Sequence, residues 1–127
     1  MTNKRKQPEK TLVRKEFVKK YKAYSFTGDI LWWQILAAED DQHCPAGTLD
    51  SVVCVNQHNG NICLWFNEFK APGKAFIKRR ATGKIEPNYR YEQRMFVERM
   101  EGKPKIYCSI TDDVSQFLHH LNKARNI

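Results

Sequence analysis

Leu49-Asp50-Ser51-Val52-Val53-Cys54-Val55-Asn56-Gln57-His58-Asn59-Gly60-Asn61-Ile62-Cys63-Leu64-Trp65-Phe66-Asn67-Glu68-Phe69-Lys70 is the stretch on which the fold turns. Two apolar runs, Leu49 to Val55 and Ile62 to Phe69, flank Gln57 to Asn61, and Asn-Gly between such runs is the strongest short-range hairpin signal. Alternate residues point to opposite faces of a strand. Val52, Cys54, Leu64 and Phe66 therefore fall on one side, and Val53, Val55, Cys63 and Trp65 on the other. Apolar residues on both faces predict a sheet covered on both sides.

The same hairpin brings charge together at one end, because Asp50 begins its first strand and Glu68-Phe69-Lys70 ends its second. A spacing of two puts Glu68 and Lys70 on one face. Whether Asp50 joins them depends on the turn. If Asn59 and Gly60 alone form a two-residue turn, His58 pairs with Asn61 and Asp50 falls opposite Phe69. If the loop is His58-Asn59-Gly60, with Gly60 left-handed and forming a bulge, Gln57 pairs with Asn61 and Asp50 falls opposite Glu68. Opposed residues lie about 4.5 to 5.5 Å apart at Cβ. Two carboxylates that close repel unless a cation lies between them, and hard oxygen ligands at a partly open site suit Mg²⁺ or Mn²⁺. The bulged hairpin is therefore the expected one. A divalent ion there activates water and neutralises charge on phosphate, and Lys70 stabilises the same charge or orients the water.

C-terminal to the hairpin, Ala71 to Pro87 carries the breakers Pro72, Gly73, Gly83 and Pro87 with the cations Lys74, Lys78, Arg79, Arg80 and Lys84. It reads as a long basic loop, either a phosphate-tracking element or a solvated, disordered one. Asn88 is expected to cap a helix with Tyr89, Phe96, Val97 and Met100 on one stripe, stopped by Gly102. Gln93 lies on that stripe. An inward polar residue needs partners, either Lys70, the attacking water or a phosphate, or a purely structural amide bridge. Lys105 to Ile110 reads as a strand. A last helix, capped by Thr111 or Asp112, uses Val114, Phe117, Leu118 and Leu121 as core.

N-terminal to the hairpin, Met1 to Lys10 reads as a flexible basic tail. From Thr11, Val13, Phe17, Tyr21 and Tyr24 recur at helical spacing, ending before Gly28. Asp29 to Ala38 is the first strand, bounded by the acidic turn Glu39, Asp40 and Asp41, and at least one of Trp32 and Trp33 belongs to the core. The expected order is α-β-β-β-α-β-α in one α/β domain, a mixed four-stranded sheet flanked by helices.

The chain has 127 residues, 41% of them hydrophobic, enough for one core. Its 22 Lys and Arg against 14 Asp and Glu give a net charge of +8, which favours a polyanionic partner. No apolar run approaches the roughly 20 residues that span a bilayer. With no secretory signal segment, a cytoplasmic setting and no membrane partner are expected. Cys44, Cys54, Cys63 and Cys108 lack metal-binding spacing, and the last three are expected to be buried as small hydrophobes. His43, His58, His119 and His120 form no ligand set and are assigned to turns or exposed helix surface.

Gly47-Thr48-Leu49-Asp50, Glu68-Phe69-Lys70-Ala71-Pro72-Gly73, Gln93, Gly102 and the strand with Ile106-Tyr107-Cys108 together resemble the VRR-NUC branch of the PD-(D/E)XK nucleases. The family pattern runs Gly-x-Pro-Asp, strand, Glu-x-Lys-Ala-Pro-Gly, then a glutamine in a helix followed by a glycine and a strand. The likeness spans about residues 47–121, with Leu49 in place of the usual proline and a longer link from Lys74 to Asn88. It implies a restriction-endonuclease-like fold over residues 11–127 and Mg²⁺- or Mn²⁺-dependent hydrolysis of DNA. Asp50, Glu68 and the Phe69 carbonyl would then be metal ligands and Lys70 the catalytic lysine. It further implies branched DNA such as a Holliday junction as substrate, a homodimer, and a bacterial or phage-infected host cell. The family's acidic residue on its opening helix would correspond to Glu16, although its position four residues before Lys20 better suits an exposed ion pair. Two other readings remain: a noncatalytic nucleic-acid-binding module, or a phage protein binding an acidic host partner.

Overall fold

The computed structural model describes residues 8–36 and 44–127. The expectations for most of the basic tail, the acidic turn and His43 lie outside these residues. Helix α1 spans Pro8–Phe26, followed by β1 (Ile30–Ile35), β2 (Ser51–Asn56) and β3 (Ile62–Phe69). Then come the short strands β4 (Phe76–Lys78) and β5 (Ile85–Pro87), helix α2 (Tyr91–Met100), β6 (Ile106–Thr111), a 3-10 turn (Val114–Gln116) and helix α3 (Phe117–Asn126). The main sheet is mixed, in the order β1-β2-β3-β6. Its first two pairings are antiparallel, and β3 and β6 run parallel through the α2 crossover.

Both faces of this sheet are covered, as the double apolar alternation predicts. On one face Val53, Val55, Cys63 and Trp65 pack against Val13, Phe17 and Tyr21 of α1 and Phe117, Leu121 and Ala124 of α3. On the other, Phe66 and Cys108 meet Phe96 of α2, with Leu49 fully buried beside them. Removing a large apolar side chain such as Phe17 from water contributes roughly 1.5–3 kcal/mol. The β2-β3 turn is held from outside by α3. Gln57 Nε2 donates to the carbonyls of Ala124 and Ile127, and Arg125 Nε donates to the Asn56 carbonyl at 2.9 Å. Arg125 also pairs with Asp29 beside β1.

Several local expectations need correction. Helix α1 begins at Pro8 rather than Thr11, since proline in a first turn forfeits no helical hydrogen bond. Lys10 is therefore helical and not part of a tail. The supposed long loop contains a two-stranded ribbon, β4 against β5. Gly83, at φ +72, turns the chain, and Arg79 pairs with Glu86. Residue 90, not Asn88, precedes the first turn of α2, while the Asn88 amide donates to the Lys74 carbonyl. Asp113 caps the 3-10 turn through Ser115 N–H, and Asp112 instead bonds Gln116 and the Ala75 N–H. Leu118 faces solvent. Trp33 packs on Tyr21 while Trp32 is half exposed. Cys63 and Cys108 are buried but Cys54 is only half-buried. His120 is half-buried against Trp65 and hydrogen-bonded to the Tyr107 hydroxyl.

Candidate active site

The hairpin adopts the bulged register. Gln57 N–H donates to the Asn61 carbonyl, Gly60 N–H returns to the Gln57 carbonyl, and Gly60 has φ +88. Pairing runs from Asn56↔Ile62 to Ser51↔Asn67, so the next step outward places Asp50 opposite Glu68. Beneath them a buried polar network fixes the neighbours. Tyr21 Oη bonds Ser51 Oγ at 3.0 Å, Asn67 Nδ2 donates to Thr111 Oγ1, and Ser109 Oγ donates to Asn67 Oδ1. Such a network resists a register slip, because any shift strands several buried polar atoms at once.

Asp50 itself is held at both backbone and side chain. Leu36 N–H donates to its carbonyl at 2.7 Å, and its Oδ2 accepts from Phe69 N–H at 3.0 Å. The turn before it, around Gly47, lies directly against the start of α2. A Cβ on Gly47 would meet the Glu92 carbonyl oxygen at 2.3 Å, and its φ of +91 is itself a glycine conformation. The glycine three residues before Asp50 is thus required by close packing.

At the strand ends Asp50 and Glu68 are only 5% and 2% exposed. Lys70 Nζ lies 3.7 Å from Glu68 Oε2. Lys10, reaching over from α1, lies 3.2 Å from Asp50 Oδ2 and 3.8 Å from Glu68 Oε2. Burial, then the neighbouring Asp50 charge, pushes the Glu68 carboxyl up to about 7 against the opposing pull of Lys10, Gln93 and Lys70. Glu68 Oε1 is buried without a hydrogen-bond partner among the described residues. Buried carboxylate oxygens are normally satisfied, so this atom is placed to take a ligand.

The structure gathers Asp50, Glu68, Lys70 and Gln93 into one place. Gln93 is buried, and its Oε1 accepts from Arg90 N–H at 3.0 Å, so it caps α2 while its side chain also acts on Glu68. Of the two readings of this residue, the hydrogen bonds bear out the structural amide bridge. Phe69 ends β3 between Glu68 and Lys70, its ring against Phe17 in the core. Lys74, Lys78, Arg79, Arg80 and Lys84 are all exposed along the β4-β5 ribbon and its flanks. Glu16 is exposed, and the α1 residue that reaches the carboxylates is Lys10. Sequence reading missed Lys10 by assigning it to a tail. The available signal was its spacing, three before Val13 and seven before Phe17, which continues the buried stripe.

Among the described residues no group of three or more His, Cys, Asp or Glu converges, so a metal here would have two carboxylates as its side-chain ligands. The donor set still fits a hard divalent ion, which accepts backbone carbonyls and waters in its remaining positions. The unpartnered Glu68 oxygen supplies a free donor for it. A cleft of about 460 Å³ runs beside β6, lined by Tyr89, Glu101, Cys108 and His120 among others, and none of Asp50, Glu68 and Lys70 lines it. Comparison of the chain with protein-family models, curated proteins and solved structures gives no match.

Proposed function

We propose that this chain is a divalent-metal-dependent phosphodiesterase. More particularly, it is a DNA endonuclease with a restriction-endonuclease-like fold, of the VRR-NUC branch of the PD-(D/E)XK nucleases, acting on branched DNA such as a Holliday junction, as a homodimer in the cytoplasm. The observation that carries this reading is the convergence of Asp50 and Glu68 from neighbouring antiparallel strands, with the Lys70 ammonium 3.7 Å from Glu68. Mg²⁺ or Mn²⁺ held by the two carboxylates and the Phe69 carbonyl would supply Lewis acidity and a more acidic water. Lys70 stabilises negative charge developing on the phosphate oxygens, a role suited to a fixed ammonium in a partly water-excluded site. Gln93 orients Glu68 from α2, and the exposed cations of the β4-β5 ribbon track the DNA backbone.

The test is incubation of purified protein with labelled four-way junction, flap and duplex DNA in Mg²⁺ or Mn²⁺. Cleavage that Asp50→Ala reduces at least a thousandfold is the expected result. The pairing of Lys10 with both acids favours one competing reading, a noncatalytic nucleic-acid-binding module in which the carboxylates are neutralised from within the chain. DNA binding unchanged in Asp50→Ala, with no product from any substrate or metal, would decide for it.

A further inference from the structure

The N-terminal end of the α1 stripe is occupied by a lysine where the rest of the stripe is apolar. Val13, Phe17 and Tyr21 are buried at 4%, 0% and 0% exposure, so the docking of α1 fixes the direction in which Lys10 points. Its side chain is 27% exposed, so it stays partly open to solvent. Its Nζ contacts one oxygen from each acid, Asp50 Oδ2 and Glu68 Oε2. Lys70 reaches the same Glu68 oxygen but has no ion pair with Asp50, so Lys10 alone bridges the two carboxylates among the described residues.

A divalent ion ligated by both carboxylates would sit about 2.0–2.6 Å from their oxygens. That position lies within a few ångströms of the Lys10 ammonium, which is itself 3.2 Å from Asp50 Oδ2. Two cations held against the same pair of carboxylates at that range repel strongly in a partly buried site. An ammonium on a flexible four-carbon stem that is partly open to solvent can withdraw without disturbing the helix.

We infer that Lys10 is a built-in occupant of the cation position, which neutralises Asp50 and Glu68 in the metal-free protein and must be displaced for a divalent ion to enter. The inference rests on the metal-dependent reading above. It makes Lys10 a positioning residue that sets metal affinity and holds the carboxylates at their spacing when no metal is bound. It also gives the chain a means of keeping the site assembled but weakly metal-binding until cation is plentiful.

The experiment is calorimetric titration of the full chain with Mn²⁺ alone, no DNA present, for wild type, Lys10→Met, Lys10→Gln and the charge-preserving Lys10→Arg. Thermal melts of each protein are run in chelator and in Mn²⁺. Both neutral variants are expected to bind Mn²⁺ at least fivefold more tightly than wild type, with Lys10→Arg near wild type. The neutral variants should melt lower than wild type in chelator and recover in Mn²⁺. Equal affinity across the four proteins would overturn the competition while leaving the nuclease reading, judged by wild-type cleavage, intact. Absence of Mn²⁺ binding in every variant and in wild type would overturn both. Two neutral substitutions of different polarity keep the result from depending on the folding of one.

Discussion

The surroundings of Glu68 oppose its charge, and that opposition has a measurable sign. Its carboxyl is raised from the ordinary carboxylate range to about 7, so the folded protein binds a proton that the unfolded chain has released. The metal-free fold therefore gains stability from this group as pH falls from about 7 toward 4.5, and bears the full cost of the charge above 7. Glu68→Gln, which mimics the protonated form, should melt higher than wild type at pH 8 in chelator, with the gap closing by pH 5. If the proposed nuclease reading holds, the same variant should lose cleavage, a trade of stability for function at one position. Gly47→Ala should fail in the opposite sense. A methyl group there meets the Glu92 backbone and forces a left-handed alanine, costing about 2–5 kcal/mol in urea denaturation. Asn59-Gly60 suits either loop length, so the pairing of Asp50 with Glu68 was legible in the sequence only through chemistry, because two facing carboxylates call for a cation between them. Lys10 was not, because a charged residue on an apolar stripe looks like solvated surface until the stripe's direction over the sheet is known.

The β4-β5 ribbon shows the limit of breaker residues as guides. Prolines and glycines between Ala71 and Pro87 suggest a structureless loop, yet three residues on each side pair, with Arg79 and Glu86 fixing the tip. Phe76, Lys78, Ile85 and Pro87 share one face, since directly opposed residues in an antiparallel pair point the same way. Such short strands carry too little periodicity for sequence to separate them from a loop. If the ribbon tracks phosphates, replacing Lys78, Arg80 and Lys84 together with glutamine should weaken DNA binding. The slope of log affinity against log salt should then fall by up to about 2.7, at roughly 0.9 for each phosphate no longer neutralised. Because these side chains are exposed, the melting temperature should hardly change. The main sheet, by contrast, was readable from alternation alone, because Val53, Trp65 and their neighbours each commit to one of two covered faces.

Taken as one body, the chain combines a net charge of +8 with two buried groups, Glu68 and His120, whose contributions to stability respond to acid in opposite ways. His120 is held down to about 4 by burial, with His119 and Lys123 adding to the effect. Its depressed value means that the stability it contributes is complete above the ordinary histidine value of 6.5 and is lost as pH falls toward 4. Melting curves of wild type and His120→Gln between pH 7 and 4 should diverge, wild type losing more, because the glutamine does not titrate. No described helix is long and apolar enough to cross a membrane. Arg125 and the last turn of α3 grip the far end of the β2-β3 hairpin through Asn56 and Gln57. During synthesis Asp50 and Glu68 leave the ribosome before Arg125 does, so the two acids emerge on a hairpin whose clamp has not yet arrived.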